Sequence, residues 1–159
     1  MNCKNIKKIL ADRKSGLKRI YTATLEDGLE HGILIAEVSD RECGGTSAQC
    51  INLGKVNHKG KEVAIIHTHP EQYGGPEFST SDILAALLRK HKFICVMGGD
   101  GLIECVPTDR KSFKADDEFI KFSLWHPDAM QPISKTINKK LNSWYRKQKK
   151  CSIKDFENL

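Results

Sequence analysis

One segment in the middle of the chain strongly constrains the fold. An apolar stretch predicts a strand from Glu62 to His67, which Pro70 ends. After a loop that contains Gly and Pro, the residues from Ser79 to His91 carry apolar side chains at the spacing of one broad helix face. A strand followed by such a helix is typical of a layered fold in which the helix covers a sheet.

The same segment carries a possible metal-binding pattern. His67 and His69 are two residues apart, so in a strand both imidazoles project from one face at its C-terminal end. Asp82 lies in the first turn of the helix, and the short loop can bring its carboxylate back over the strand end. Two His and one Asp leave a fourth coordination position open, which is typical of a catalytic zinc site.

Each of these residues also has a structural interpretation. A single histidine is usually structural or solvated, and Ser79-x-x-Asp82 before an apolar run is a variant of the helix capping box. The combination of His-x-His-Pro after a strand and Ser-x-x-Asp at a helix start is much harder to obtain by chance. The combined pattern therefore favours a metal site.

The other segments predict an α/β protein of the α+β type, with a mixed sheet flanked by helices. Asn5 to Lys14 predicts a short amphipathic helix, and the segment from Asp116 to Leu124 is compatible with either strand or helix. Asp27-Gly28 predicts a hairpin turn. The remaining predicted strands are 17–25, 29–38, 48–53, 93–97 and 102–106, and a long basic helix is predicted at 129–150.

A length of 159 residues suits one domain. We predict a single domain over 1–159 with a core of about 17–125, a basic N-terminal helix at 4–14 and a basic C-terminal helical extension at 128–150. No apolar run has the length of a bilayer span, and the first residues do not resemble an export signal. With six irregularly spaced cysteines and no C-x-x-C pair, we expect a cytoplasmic protein with reduced thiols.

The positive charge is confined to the two ends of the chain. The formal net charge is +6, yet residues 1–20 and residues 134–159 each have a balance of +6, so residues 21–133 have a balance of −6. An acidic body favours a basic or neutral polypeptide substrate over nucleic acid.

His67-Thr68-His69-Pro70 followed by Ser79-Thr80-Ser81-Asp82 resembles the JAMM signature of the JAB/MPN zinc metalloproteases. The resemblance covers about residues 21–106 and is greatest to the compact prokaryotic, archaeal or viral members. It implies a JAB/MPN-like fold, with the layered architecture also found in cytidine deaminases. It further implies that His67, His69 and Asp82 bind Zn²⁺.

The resemblance also implies an upstream glutamate that acts as a general base. We choose Glu30, which begins a strand as Glu-His-Gly, and Glu37 at the far end of that strand is the main rival. Only one of these two can face the metal, because they differ in alternation parity. The other candidates are Glu26, Glu42 and Glu62.

The chemistry implied by the resemblance is the hydrolysis of peptide or isopeptide bonds, among them bonds to a ubiquitin-like modifier. Zinc activates a water molecule, Glu30 transfers its proton to the leaving amine, and Ser79 donates a hydrogen bond to the developing oxyanion. The other histidines, at positions 31, 58, 91 and 126, lack ligand-like spacing and are expected to be ordinary surface or core residues.

The alternative is a non-catalytic MPN-like module whose basic ends bind nucleic acid or a partner protein. Nucleic acid is possible but not favoured, because Lys-rich ends are more often solvated helix faces, and Trp144 and Tyr145 are adjacent instead of spaced as stacking platforms. No membrane partner is expected.

Overall fold

The computed structural model describes residues 1–44, 61–70, 78–108 and 135–159. Six strands within these ranges form one sheet, in the order β2-β1-β3-β4-β5-β6. They are β1 (His31–Ala36), β2 (Arg41–Gly44), β3 (Glu62–Thr68), β4 (Phe93–Met97), β5 (Ile103–Pro107) and β6 (Cys151–Ile153). The strands β3 and β4 are parallel, whereas the other neighbouring pairs are antiparallel. The sheet is therefore mixed, as the sequence predicts.

Helices cover both faces of this sheet. The helices α1 (Cys3–Ala11) and α2 (Lys14–Asp27) contribute Ile6, Leu10 and Leu17 to an apolar cluster on one face. On the other face, α3 (Thr80–Leu88) and α4 (Lys135–Lys147) bury Leu87 and Leu141 in a second cluster. This three-layer arrangement confirms the predicted α+β class.

The segment predicted as a strand at 17–25 is helical, so that prediction is wrong. Leu17, Ile20 and Thr24 are buried at helical spacing on one side of α2. The β-branched residues of this segment suggested a strand, but the burial period is that of a helix. Asp27-Gly28 is consequently not a hairpin turn, because Gly28 ends α2 in the left-handed conformation with φ 69°.

The central elements agree with the prediction. The strands predicted at 29–38, 62–67, 93–97 and 102–106 are observed as β1, β3, β4 and β5, and the helix predicted from Ser79 is observed as α3. The predicted N-terminal helix is observed as α1, which ends three residues before Lys14. The predicted strand at 48–53 and the segment at 116–124 lie outside the described residues.

The C-terminal segment differs in part from the prediction. Residues 135–147 of the predicted basic helix are helical, and residues 129–134 lie outside the described part. After α4 the chain enters β6 and a short 3₁₀ helix (Phe156–Asn158). The sequence analysis missed β6, because three residues after a run of lysines carry almost no alternation signal.

Disulfides between described residues correct the prediction of reduced thiols. Cys3 is bonded to Cys151, and Cys95 in β4 is bonded to Cys105 opposite it in β5. The expected cytoplasmic location rested in part on free cysteines and loses that support. Within the described ranges, no helix combines the length and apolar character that a bilayer crossing requires.

Candidate metal centre

The candidate site lies at the C-terminal end of β3, in the middle of the sheet. In the strand register His67 lies between Gly32 of β1 and Val96 of β4. The His67 side chain projects toward the face covered by α3, and only 2% of the residue is exposed. His69 follows the strand, and its backbone N–H donates to the Met97 carbonyl oxygen at 2.8 Å. Both histidines are thus placed by regular backbone pairing.

Asp82 reaches these histidines from the first turn of α3. Its backbone N–H donates to Ser79 Oγ at 3.1 Å, and its Oδ2 accepts from the Ser79 backbone N–H at 2.9 Å. This reciprocal pair is a capping box that begins the helix and fixes the Asp82 carboxylate. The predicted capping role of Ser79-x-x-Asp82 is therefore confirmed, and it also directs the carboxylate toward β3.

The three side chains converge on one point. His67 Nε2 is 3.0 Å from His69 Nε2 and 3.4 Å from Asp82 Oδ2, and His69 Nε2 is 3.8 Å from the same carboxylate oxygen. In a tetrahedral zinc site with bonds of about 2.0–2.1 Å, neighbouring ligand atoms are about 3.3 Å apart. The triangle of donor atoms therefore fits a zinc ion, and the donor types are those that zinc prefers.

The charges of the site support one another. Burial alone would lower the pKa of His67, but attraction to Asp82, its hydrogen bond with Asp82 and the nearby charge of Glu30 together raise this pKa. Burial alone would raise the pKa of Asp82, yet His67 and the hydrogen bonds with Ser79 lower it to about 2. In the absence of a metal, the site thus stabilises an anionic carboxylate beside cationic or hydrogen-bonded imidazoles.

Glu30 lies at the edge of this cluster, immediately before β1. Continuing the register of Gly32 opposite His67 places Glu30 beside His69, and its Oε1 is 3.8 Å from His69 Nε2. Its pKa is raised, mainly because the carboxyl is half-buried; His67 opposes this increase and Asp82 adds to it. A carboxyl with a raised pKa beside a metal site is suited to accept and release a proton.

The structure also separates Glu30 from the rival glutamates. Glu37 is exposed at the opposite end of β1, where its backbone N–H donates to the Lys61 carbonyl. Glu42 pairs with Arg19, and Glu62 pairs with His91 on the opposite end of β3. Glu26 is exposed on α2. Of the candidate glutamates, Glu30 is the one that the structure places within 3.8 Å of a predicted ligand, His69.

The Ser79 hydroxyl accepts one hydrogen bond and can still donate another. Its Oγ accepts the Asp82 backbone N–H, and the residue is exposed at the rim of the site. The hydroxyl proton is not used by this contact and can be donated to another group. The capping role and the predicted oxyanion role are therefore compatible, and the second stays a prediction.

Sequence analysis missed Thr68, which lies between the two histidines and fixes the end of β3 by hydrogen bonds. Its side chain is directed to the opposite face, where its Oγ1 accepts the His31 backbone N–H at 2.9 Å and contacts the Thr24 hydroxyl. It also donates to the His31 carbonyl at 3.2 Å. These contacts tie the end of β3 to β1 and α2. The alternation of the strand predicts the direction of Thr68, but not its partners on α2.

A cleft of about 280 Å³ lies beside His69, between α2 and the turn after β4. Its wall is positioned by the Tyr21 hydroxyl, which donates to the Gly99 carbonyl at 2.9 Å. Most of its lining residues have small side chains or none. The lining residues are Tyr21, Thr24, Leu25, Gly28, Thr68, His69, Pro70, Gly98 and Gly99.

The remaining histidines agree with the prediction where the structure describes them. His31 Nε2 is 2.7 Å from Asp27, and the buried His91 has its Nε2 2.7 Å from Glu62 at the start of β3. His58 and His126 lie outside the described residues. Neither His31 nor His91 belongs to the group of possible metal ligands.

Within the described residues, His67, His69 and Asp82 form the one group of three potential ligands, with all ligand atoms within 4.8 Å of one another. The group can hold a metal ion. No family model, curated protein or solved structure matches this chain.

Proposed function

We propose that this protein is a zinc-dependent metallohydrolase of the JAB/MPN type that cleaves peptide or isopeptide bonds. The observation that carries the proposal is the convergence of His67, His69 and Asp82 within 4.8 Å, with the Glu30 carboxylate next to them. The motif resemblance and the mixed sheet between two helical layers support the same family.

Zinc bound by two neutral imidazoles and one carboxylate would retain positive charge, polarise the scissile carbonyl and make a water molecule more acidic. His67 and His69 would then be neutral ligands, held in place by β3. Asp82 supplies the anionic ligand, and its capping box prevents the carboxylate from turning away. The site is mostly buried, which strengthens its electrostatic interactions.

Glu30 is the proposed general base and acid. Its carboxyl lies 3.8 Å from His69 and is half-buried, so that its pKa is raised by desolvation. It would take a proton from the attacking water and deliver it to the leaving amine. Ser79, at the rim beside Asp82, would donate its hydroxyl proton to the developing oxyanion.

The cleft beside His69 fits an extended polypeptide better than a bulky ligand. Gly28, Gly98 and Gly99 line the cleft without side chains, so a substrate main chain can approach them closely. The proposed substrate is therefore a polypeptide with small residues before the scissile bond. A ubiquitin-like modifier linked through its C-terminal glycine has this character.

The test compares two glutamates on the two ends of β1. We expect Glu30→Gln to abolish cleavage of a fluorogenic amide on the C-terminal glycine of a ubiquitin-like protein, with zinc content unchanged. Glu37→Gln is the control and should retain activity, because Glu37 is exposed at the far end of the strand. Equal activity of both variants would remove Glu30 from the mechanism.

Metal analysis tests the centre independently of substrate. We expect about one zinc ion per chain after dialysis against zinc and desalting, and loss of that ion in His67→Ala. The matched control is His31→Ala, whose histidine lies outside the ligand group. Zinc retention by His67→Ala would contradict the proposed centre.

A further inference from the structure

The structure brings the two basic chain ends together at one edge of the sheet. The disulfide Cys3–Cys151 links residues 148 positions apart, with their Cα atoms 5.3 Å apart. Since neighbouring Cα atoms are 3.8 Å apart, the Cα atoms of Lys4 and Lys149 lie within about 17 Å of each other. Two charge clusters that are distant in sequence therefore adjoin in the fold.

Six exposed lysines form what we call the terminal ridge. They are Lys4, Lys7 and Lys8 of α1, and Lys147, Lys149 and Lys154 of the C-terminal segment. In α1 the buried residues Ile6 and Leu10 anchor the opposite side of the helix, so these lysines share the solvent face. Residues 3–11 and 147–154 contain no acidic residue.

The lysines of the ridge are not neutralised within the described part of the chain. No ion pair between described residues involves any of the six. Lys150, by contrast, pairs with Glu104 at 3.5 Å and lies over the Tyr145 ring, so it is not counted in the ridge. A concentration of unpaired cations at one edge creates a local positive potential on a protein whose body is acidic.

We propose that the terminal ridge binds the phosphate backbone of duplex nucleic acid, without sequence specificity. Lysines are point charges that contact phosphates but do not provide the bidentate geometry used to read bases. Single strands are bound mainly by exposed aromatic platforms, and here Trp144 is buried and Tyr145 is occupied by Phe78, Glu104 and Lys150. The chemistry of the ridge therefore favours a duplex backbone.

The surface is less suited to a membrane. Membrane-surface segments combine basic residues with apolar side chains that enter the lipid. Of the exposed large hydrophobic residues in the described part of the chain, Met1 is next to the ridge, whereas Leu25, Leu29 and Val38 lie around the C-terminal end of α2 and β1. The ridge is therefore charged but has few apolar side chains that could enter a lipid bilayer.

The ridge and the candidate metal centre are spatially separate. The strand β6 is three positions away from β3 in the sheet, which corresponds to about 14 Å. The inference therefore does not depend on the proposed hydrolase function.

The experiment measures binding of the oxidised full-length chain to a labelled 20-base-pair duplex by fluorescence anisotropy at several salt concentrations. Six phosphate contacts predict a fall in affinity of about 10³-fold between 50 and 200 mM salt. We expect the triple variants Lys4→Gln/Lys7→Gln/Lys8→Gln and Lys147→Gln/Lys149→Gln/Lys154→Gln each to reduce the log–log salt slope by about 2 to 3.

A matched control removes the same charge elsewhere. Lys61, Lys90 and Lys92 are exposed lysines outside the ridge, and their triple Gln variant should bind within about twofold of the unmodified protein. The variant Cys3→Ala/Cys151→Ala retains all charges but releases the ends from each other, so it should weaken binding. Glu30→Gln should bind normally.

Three results would overturn the proposal. An equal loss in the control triple variant would show a general charge effect. Tighter binding to anionic vesicles or to a single strand than to the duplex would assign the ridge to another partner. Absence of binding at 50 mM salt, with aggregation of the ridge variants, would show that these lysines only protect the edge of β6 from pairing.

Discussion

The candidate metal centre and the terminal ridge are assembled in opposite ways. The three proposed ligands come from residues 67–82, along one strand, one loop and one helix start. The ridge combines residues 4–8 with residues 147–154, which meet only in the folded chain. A site of the first kind can be read from a contiguous sequence, whereas one of the second kind requires the topology of the sheet.

The two regions also differ in what stabilises them. The candidate metal centre is held by pairing of β3 with the distant strand β1 and by the local capping box of α3. At the ridge, Ile6 and Leu10 pack in the same cluster as Cys151 and Ile153, and a disulfide closes the contact. Loss of the Cys3–Cys151 disulfide should therefore affect the ends of the chain and leave the candidate centre intact.

The largest expected effect comes from removing the long-range disulfide. In the chain-entropy model, a bond that closes a loop of 148 residues contributes about 5 kcal/mol to the free energy of unfolding, while one that closes a loop of 10 residues contributes about 3 kcal/mol. Cys3→Ala/Cys151→Ala should thus be less stable than Cys95→Ala/Cys105→Ala. Urea unfolding of both double variants measures this difference.

Zinc content provides the second measurement on these variants. We expect Cys3→Ala/Cys151→Ala to bind zinc normally without denaturant, because neither cysteine contacts the candidate centre. A reversed order of stability would contradict the entropic role of the long loop. Loss of zinc from the Cys3/Cys151 variant would show that the two regions are coupled.

The difference between local and long-range contacts also explains which features of the structure the sequence predicts. The sequence predicts the strand β3, the helix α3 and the grouping of His67, His69 and Asp82, because alternation, capping and His-x-His spacing are local signals. Glu30 was preferred over Glu37, and the register opposite His67 places Glu30 on the side of the ligands. Its catalytic role stays a prediction.

The errors of the sequence analysis concern weak local signals and long-range contacts. The β-branched composition of residues 17–25 suggested a strand, although burial of one side against the sheet makes the segment a helix. The disulfides between described residues were missed: the spacing of cysteines does not reveal that Cys95 lies opposite Cys105, or that the chain ends meet. Thr68 was missed because its partners lie on α2 and β1.

A smaller effect on the free energy of unfolding is expected from the buried Asp82 carboxylate of the candidate metal centre. In the zinc-free protein the pKa of Asp82 is lowered from 3.8 to about 2. Because the folded-state pKa is the lower one, Asp82 stabilises the protein above a pH of about 3.8, and this contribution is lost as the pH falls through about 2. The shift corresponds to roughly 2 kcal/mol.

Urea unfolding of the zinc-free wild type and Asp82→Asn from pH 5 to pH 2 tests this contribution. The stability difference between the two proteins should shrink as the pH decreases, because protonation removes the charge that the variant already lacks. A difference that is constant over this range would show that the carboxylate charge does not stabilise the fold. The Cys3–Cys151 disulfide has no titrating group and should not contribute to this pH dependence.

The smallest expected effect separates the two roles of Ser79. Replacing an N-cap Ser by Ala costs about 1 kcal/mol, whereas Gly at this position costs only a few tenths of a kcal/mol. Ser79→Ala and Ser79→Gly both lack the hydroxyl that caps α3 and that would bond to the oxyanion.

If the hydroxyl acts in catalysis, both variants should lose about 10²-fold in kcat, although Ser79→Gly remains nearly as stable as the wild type. If Ser79 only caps the helix, activity should follow stability, and Ser79→Gly should be almost fully active. Parallel measurement of kcat and of the urea midpoint therefore decides whether the local design of the metal centre serves folding alone or folding and chemistry together.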